Sequence, residues 1–144
     1  MEYQIIEAKS LEEINQVFHI RIEVFVKEQK CLPSEEFDDL DAQARHFLLL
    51  IDEQSVATGR FRKTEKGIKI ERIATLENFR GKGFASIIIQ HMIKEAKNQF
   101  PDNQYFYLHS QQTVMPLYAA LGFKPYGETF IEADIVHQAM ELNS

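Results

Sequence analysis

The apolar and polar positions of this 144-residue chain follow two periods that meet at one point. Residues 68–76 alternate apolar and polar side chains, which is the period of a β-strand. From Ala85 to Phe100, apolar side chains recur every three or four residues, which is the period of an amphipathic helix. The pattern therefore predicts a strand, a short loop and a long helix in this order.

The rest of the chain shows the same mixture of periods. Ser10 and Glu13 match a capping box, so a helix is predicted to start there, with a break near Ile20. Further strands are predicted at residues 3–8, 46–51, 55–63, 105–110, 123–131 and 137–142, with a short helix from about 114 to 122. This order predicts an α/β fold in which a mixed sheet carries helices on both faces, within one domain over residues 1–144.

The loop between the predicted strand and the long helix has the properties of an anion site. Gly81 and Gly83 permit a tight turn and a close approach by a ligand. A helix start leaves backbone N–H groups unpaired and carries about half a positive charge, to which Arg80 and Lys82 add. These features predict a phosphate-binding loop, and the structural alternative is a glycine-rich turn with solvated basic residues.

Two common phosphate-binding motifs do not fit this loop. The chain contains no G-x-x-x-x-G-K-[ST] string, and Ser86 stands where a dinucleotide fingerprint requires its third glycine. The pattern that does fit is [RQ]-x-x-G-x-[GA], at Arg80, Gly83 and Ala85. It resembles the pyrophosphate loop of the GNAT superfamily of acyl-CoA-dependent N-acetyltransferases.

Two further segments extend this resemblance over nearly the whole chain. Residues 117–123 resemble the L-Y-x-x-L-G-F signature that these enzymes carry after their fifth strand, and Tyr118 lies 38 positions after Arg80. Residues 21–29, followed by an acidic loop and His46, resemble the R-x-x-V-F-V-x-E-Q segment of the ElaA/YjcF-like branch. Several signatures in the same order are much more specific than one.

The resemblance implies a mostly antiparallel sheet that splays open between its fourth and fifth strands. Acetyl-CoA would enter this gap as cosubstrate, and no metal is implied. Its pantetheine arm would pair with the backbone of residues 73–75, and Gln111 stands where the family often has Asn. The implied contacts are Ile73, Ala74, Thr75, Arg80, Gly81, Lys82, Gly83, Phe84, Ala85, Ser86, Gln111 and Tyr118.

Transfer to an amine needs a base and an acid. An alkyl ammonium has a pKa near 10.4, so only about 1 in 10³ molecules is neutral at pH 7, whereas a thiolate leaves as the base of an acid of pKa near 8.5. Tyr118 is the predicted general acid, and its structural alternative is packing of a helix on the sheet. One tentative base is Glu71, which should share a strand face with Ile73. The others are His109 and Glu28, which could instead contact the substrate, and a water chain could replace all three.

Composition narrows the function classes. The net charge of −6 argues against a nucleic-acid binder, and Cys31, the single cysteine, argues against a disulfide framework or a metal cluster. No apolar run is long enough for a membrane helix, and the first residues lack the basic start of a signal peptide. We therefore expect a cytoplasmic protein without membrane or nucleic-acid partners.

A polar loop predicted at residues 30–45 carries the one hint about the acceptor. It contains five acids in seven positions, Glu35, Glu36, Asp38, Asp39 and Asp41. On the acceptor side their field would favour a cationic amine, and the alternative is a solvated loop.

The sequence thus predicts an N-acetyltransferase that moves an acetyl group directly to a primary amine, expected to be small and cationic. A non-catalytic CoA-binding sensor or interaction module of the same fold is the alternative function. The sequence leaves open whether the protein forms a homodimer.

Overall fold

The computed structural model describes residues 2–143 and is organised around one mixed sheet. The strands are β1 Gln4–Ala8, β2 Arg45–Ile51, β3 Gln54–Lys63, β4 Ile68–Thr75, β5 Tyr105–Gln111, β6 Lys124–Pro125, β7 Phe130–Glu132 and β8 Ile135–Asn143. Their order is β1-β2-β3-β4-β5-β8-β6, with β7 also beside β8. Only β4 and β5 run parallel, so the predicted mostly antiparallel α/β sheet is confirmed.

Helices cover both faces of this sheet. They are α1 Leu11–Arg21, a π-helix Ile22–Glu28, α2 Pro33–Glu36, α3 Phe84–Gln99 and α4 Met115–Ala120. The larger core, which includes Phe47, Ile88 and Phe106, lies between the sheet and α3. The smaller core, which includes Val17 and Ala74, lies between the sheet and α1. No helix within residues 2–143 is long and apolar enough to cross a bilayer.

The first helix starts as predicted, and the helical segment continues to the predicted loop at residue 30. The Ser10 hydroxyl accepts from the Glu13 amide at 3.1 Å, and the Glu13 carboxylate accepts from the Ser10 amide at 3.0 Å. The expected break near Ile20 is a change of helix type. The α-helix ends at Arg21, and the chain continues without interruption as a wider π-helix. The amide of Gln29 donates to the carbonyl of Val24, five residues back, at 3.0 Å. The helical segment therefore ends at Glu28, and there it contacts Arg80 of the loop that precedes α3.

A β-bulge in β4 separates two residues that were expected on one face. Thr58 pairs with Ala74 and Arg60 with Glu71, so Gly59 alone lies opposite residues 72 and 73. At the bulge, Arg72 has a φ of 57°. Because of the extra residue, the side chain of residue 73 packs toward α3 while Glu71 points toward α1. The expectation that Glu71 and residue 73 share a face is wrong.

The bulge also explains the glycine in β3. A Cβ at Gly59 would lie 2.7 Å from Ile73 Cδ1 and 2.9 Å from Met92 Cε. A larger residue here would force the ends of these two side chains to shift, so glycine suits the close packing of α3 and the bulged strand on β3.

The sheet splays at the parallel pair, as the resemblance implies. Only Ile68 with Phe106 and Lys69 with Tyr107 pair between β4 and β5. Beyond this point β4 stays paired with β3, whereas β5 stays paired with β8 as far as Gln111. The two strands diverge and leave a gap in the middle of the sheet.

The terminal hairpin differs from its predicted form. The strand expected at residues 123–131 is divided into β6 and β7, which both pair with β8. Pro125 lacks an amide donor, and Gly127 turns the chain with a φ of 72°. These two residues end one short strand before the next begins.

Candidate active site

A cleft of about 700 Å³ fills the gap between β4 and β5. Its wall contains these residues named from the sequence: Glu71, Ile73, Ala74, Thr75, Arg80, Gly81, Gly83, Phe84, Ala85, His109, Gln111 and Tyr118. Lys82 of the glycine loop and Ser86 in the first turn of α3 are not part of this wall, and Glu28 lines a neighbouring groove. Most of the expected contacts therefore surround one cavity.

The β4 edge of the cleft offers backbone groups that are not paired with β3. The amide of Leu76 donates to the Val56 carbonyl of β3 at 2.9 Å. Because backbone groups alternate along an antiparallel strand, those of Ile73 and Thr75 point away from β3, toward the gap. The Thr75 carbonyl accepts from Arg80 Nε at 2.9 Å. This edge can hydrogen-bond an extended ligand.

The glycine loop lies open beside the start of α3. Gly81 and Gly83 have φ values of 76° and 84°, and a Cβ on either would have no neighbour within 4 Å. The first helical bond runs from the Ile87 amide to the Gly83 carbonyl, at 3.1 Å. The earlier amides of the helix start therefore remain available to an anion.

Arg80 connects this loop to the end of the π-helix. Its guanidinium donates to both carboxylate oxygens of Glu28, at 2.5 and 2.6 Å. This hydrogen bond lowers the pKa of Glu28. A carboxylate that is ionised and bound in this way is a poor proton acceptor. The two hydrogen bonds instead hold the Arg80 guanidinium in one orientation beside the loop.

Tyr118 lies at the inner end of the cleft. Its residue is 8% exposed, and its ring packs edge-on against Phe123 at 6.2 Å between centroids. Its hydroxyl has no hydrogen-bond partner within residues 2–143. Burial raises the pKa of Tyr118, so the phenol stays protonated at neutral pH and can donate.

Gln111 faces the cleft from the other side of the gap. Its Nε2 donates to Gln29 Oε1 at 2.8 Å, so the amide links β5 to the residue that follows the π-helix. Gln29 was not singled out from the sequence, although it ends the R-x-x-V-F-V-x-E-Q segment. The pair forms a polar bridge over the cleft.

Four arginines and four carboxylates form what we call the arginine network, beneath α1. Its members are Arg21, Arg60, Arg62, Arg72, Glu36, Asp38, Asp41 and Glu71. Arg60 is fully buried and donates to Asp41 at 2.6 Å and to Asp38 at 2.8 Å. Although burial acts to raise it, the hydrogen bond and charge of Arg60 hold the pKa of Asp38 below its ordinary value.

Glu71 belongs to this network. Arg62 Nε donates to it at 2.7 Å, Arg60 lies at 3.1 Å and Lys69 Nζ at 3.3 Å. Burial acts to raise its pKa, but the hydrogen bond from Arg62 and the neighbouring positive charges outweigh burial and lower it. These contacts make Glu71 a poor general base.

Carboxylates of the acidic loop also belong to the arginine network. Glu36, Asp38 and Asp41 bind arginines, and the exposed Glu35 accepts a hydrogen bond from the Leu32 amide at 2.9 Å. The loop contains α2 and a 3₁₀ turn at Asp41–Gln43 in place of the predicted irregular chain. Its negative field is largely neutralised, so it gives no reason to prefer a cationic acceptor.

His109 is the third base candidate, and its environment differs from that of the two carboxylates. It lies on β5 at the root of the gap, and Nδ1 is buried without a hydrogen-bond partner in the described chain. Burial, together with the charge of Lys69, lowers the pKa of His109. Glu132 lies beside it, and the sequence held no signal for this neighbour because the register of β7 and β8 brings it there.

Comparison with known proteins agrees with this architecture. A family model described as an acetyltransferase (GNAT) domain matches residues 6–144. The uncharacterized N-acetyltransferase YjcF of Bacillus subtilis is 34% identical over 134 residues, covering 92% of this chain and 94% of that protein.

Solved structures show the same fold. Escherichia coli ElaA superposes with a TM-score of 0.82 at 26% identity, covering 97% of both chains. An acyl-CoA N-acyltransferase from Pseudomonas aeruginosa reaches 0.84 at 27% identity, covering 98% of this chain and 99% of that one. The predicted resemblance is confirmed: the chain belongs to the GNAT acetyltransferase family and is an acyl-CoA-dependent N-acyltransferase.

Proposed function

We propose that this protein transfers the acetyl group of acetyl-CoA directly to the nitrogen of a small primary amine. One observation carries the proposal. The sheet opens into a cleft whose wall includes both the glycine loop before α3 and Tyr118.

The residues of the cleft suit a CoA thioester. The amides of residues 81–86, with Arg80 and Lys82, would bind the pyrophosphate, because they combine a helix start with positive charge. The backbone of residues 73–75 would pair with the amides of pantetheine, with Gln111 facing them from β5. Phe84 and Ala85 would line the entrance at the start of α3. Acetyl-CoA supplies an acetyl group already activated as a thioester.

Tyr118 is the proposed general acid. A thiolate is the base of an acid of pKa near 8.5, so it needs only a weak proton donor as it leaves. Burial keeps the phenol protonated, and the hydroxyl has no competing acceptor within residues 2–143.

The acceptor is proposed as a primary amine of unspecified charge. The acidic loop had suggested a cation, but three of its five carboxylates, those of Glu36, Asp38 and Asp41, bind arginines of the same chain. Cytoplasmic location, oligomeric state and the absence of nucleic-acid partners stay predictions from the sequence.

The test is thiol release from acetyl-CoA with a panel of polyamines, amino sugars, amino acids and peptide N-termini. We expect at least one amine to give free CoA and an equal amount of N-acetylated product by mass spectrometry. The matched control is Tyr118→Phe, which keeps the ring and removes the proton. Tight CoA binding without product for any amine would instead favour the sensor function.

A further inference from the structure

The position of His109 places it on the side of the cleft opposite to α3. Phe106 and Leu108 of β5 pack into the core beneath α3. Because successive side chains of a strand point to opposite faces, Tyr107 and His109 face the α1 side. Tyr107 is the last β5 residue that pairs with β4, so His109 is the first side chain on this face inside the gap.

The ring of His109 is held on several sides but hydrogen-bonded on none of them. Phe130 packs edge-on against it at 5.0 Å, and Tyr107 lies at 6.4 Å between centroids. Nδ1 is buried without a partner in the described residues, while 29% of the side chain is exposed. The accessible edge therefore carries Nε2, and it borders the cleft.

Charged groups from three neighbouring strands face this ring. Lys69 and Glu71 come from β4, Glu132 from β7 and His137 from β8. Burial and Lys69 lower the pKa of His109, and the two glutamates oppose them less strongly. The imidazole is therefore neutral at pH 7, which is the form that accepts a proton.

Glu132 lies between the two histidines. Its Oε2 is 4.0 Å from His109 Nδ1 and 3.7 Å from His137 Nε2, while His137 Nδ1 is bound to the Ile135 carbonyl at 2.7 Å. A carboxylate on the Nδ1 side favours the tautomer with the proton on Nδ1. This tautomer leaves the Nε2 lone pair directed at the cleft.

We propose that His109 is the general base of the reaction and that Glu132 is its positioning residue. The inference rests on the proposed acetyl transfer. As the amine nitrogen bonds to the acetyl carbon, its proton passes to His109 Nε2. The carbon–sulfur bond breaks, and the sulfur takes the proton of Tyr118. His109 then loses its proton to solvent and Tyr118 regains one, so the products are an N-acetyl amine and free CoA thiol.

The first experiment compares His109→Gln and His109→Ala with the wild type, using the amine that gives the fastest thiol release. We expect kcat to fall about 10²–10⁴-fold, the usual contribution of a general base, while calorimetric CoA affinity stays unchanged. The wild-type kcat should decline as pH drops through the pKa of His109, below about 6.5, and this decline should be absent in the variants. His19→Gln, an exposed histidine of α1, is the matched control.

The second experiment does not need turnover. Imidazole NMR of the protein saturated with CoA should show His109 neutral at pH 7 with its proton on Nδ1. Glu132→Gln should lower the pKa of His109 further, because it removes a negative charge, and should shift the acid limb of kcat to lower pH with a smaller loss of rate.

Two results would overturn the assignment while leaving acetyl transfer intact. One is a folded His109→Gln protein with the kcat and acid limb of the wild type, and the other is a His109 that is charged at pH 7 in the CoA complex. A wild type that releases no thiol with any amine would overturn the proposed function itself, and the base with it.

Discussion

The arginine network and the inner wall of the cleft both remove polar groups from water, but they treat those groups differently. In the network, fully buried Arg60 has carboxylate partners at 2.6 and 2.8 Å. In the cleft, the Tyr118 hydroxyl and His109 Nδ1 have no hydrogen-bond partner within residues 2–143. A missing partner does not by itself mark the chemical region, because within residues 2–143 His46 Nδ1, in a ring bound to the Asp41 carbonyl, and the Tyr126 hydroxyl are also buried without one. Tyr118 and His109 differ from these groups because both border the cleft.

The physical reason is the cost of each arrangement. A buried charge that loses its partner costs several kcal/mol, so the network can exist only when it is complete. His109 Nδ1, buried without a partner within residues 2–143, also costs stability, about 1–3 kcal/mol, whereas Tyr118 lines the cleft. We infer that these two groups are kept for a ligand.

Tyr118→Phe is the sharpest way to test the cleft side of the comparison. Removing the proton donor should lower kcat and kcat/KM together, by about 10²–10⁴-fold if protonation of the sulfur limits turnover. Because no hydrogen bond within residues 2–143 is lost, the free energy of unfolding should change by less than about 1 kcal/mol. Steady-state kinetics measures kcat and kcat/KM, and urea denaturation measures the free energy of unfolding. Full activity in the folded variant would show that the hydroxyl takes no part in catalysis.

Arg60→Met should show the opposite pattern. It leaves Asp38, Asp41 and Glu71 with fewer partners in a buried site, so the free energy of unfolding should fall by about 3–5 kcal/mol. Lys27→Ala, which breaks an exposed pair with Glu23, is the control and should leave stability nearly unchanged. A loss below about 1 kcal/mol for Arg60→Met would mean that the network does not hold the fold.

Gly83→Asp tests the mouth of the cleft. The variant places a side chain at a φ of 84° and a negative charge beside the proposed pyrophosphate site, so CoA should bind roughly 10- to 100-fold more weakly. Gly127→Asp introduces the same residue at a φ of 72°, away from the cleft wall, and controls for backbone strain. Isothermal calorimetry measures the CoA affinity of both variants. If Gly83→Asp and Gly127→Asp bind CoA equally well, the loop is not part of the binding site.

Acid should lower the free energy of unfolding in two stages, which is a smaller effect than those above. Burial lowers the pKa of His46 and of His109, so the unfolded state binds more protons and stability should decline as pH drops below about 6.5. Asp38 has a depressed pKa, so its contribution is present above about pH 4 and is lost below it. Denaturation at a series of pH values should show both stages, and His46→Gln should reduce the first. A single stage near pH 4 would contradict the histidine contribution.

Much of the fold followed from local patterns. The capping box at Ser10 and Glu13, the period of α3 and the positive-φ glycines of the loop are each encoded within a few residues, and the structure contains them. The splay between β4 and β5 followed only from the family resemblance, since no local pattern encodes which strands lose their pairing.

The contacts that a local pattern does not encode were missed. The bulge at Arg72 reverses the faces of β4, and neither the period of the strand nor Gly59 alone revealed it. The acidic loop looked solvated because its arginine partners, such as Arg21 and Arg60, are 15 or more positions away in sequence. The neighbourhood of His109 depends on the register of β7 with β8, which only the folded chain sets.

The most direct test of acetyl transfer uses acetyl-CoA with a deuterated acetyl group. The wild type is incubated with the amine panel, and each amine is analysed by mass spectrometry with fragmentation that locates the label. We predict a labelled N-acetyl amine in an amount equal to the CoA thiol released, with Tyr118→Phe slower by about 10²–10⁴-fold. Saturable CoA binding by calorimetry without labelled product from any amine would contradict it.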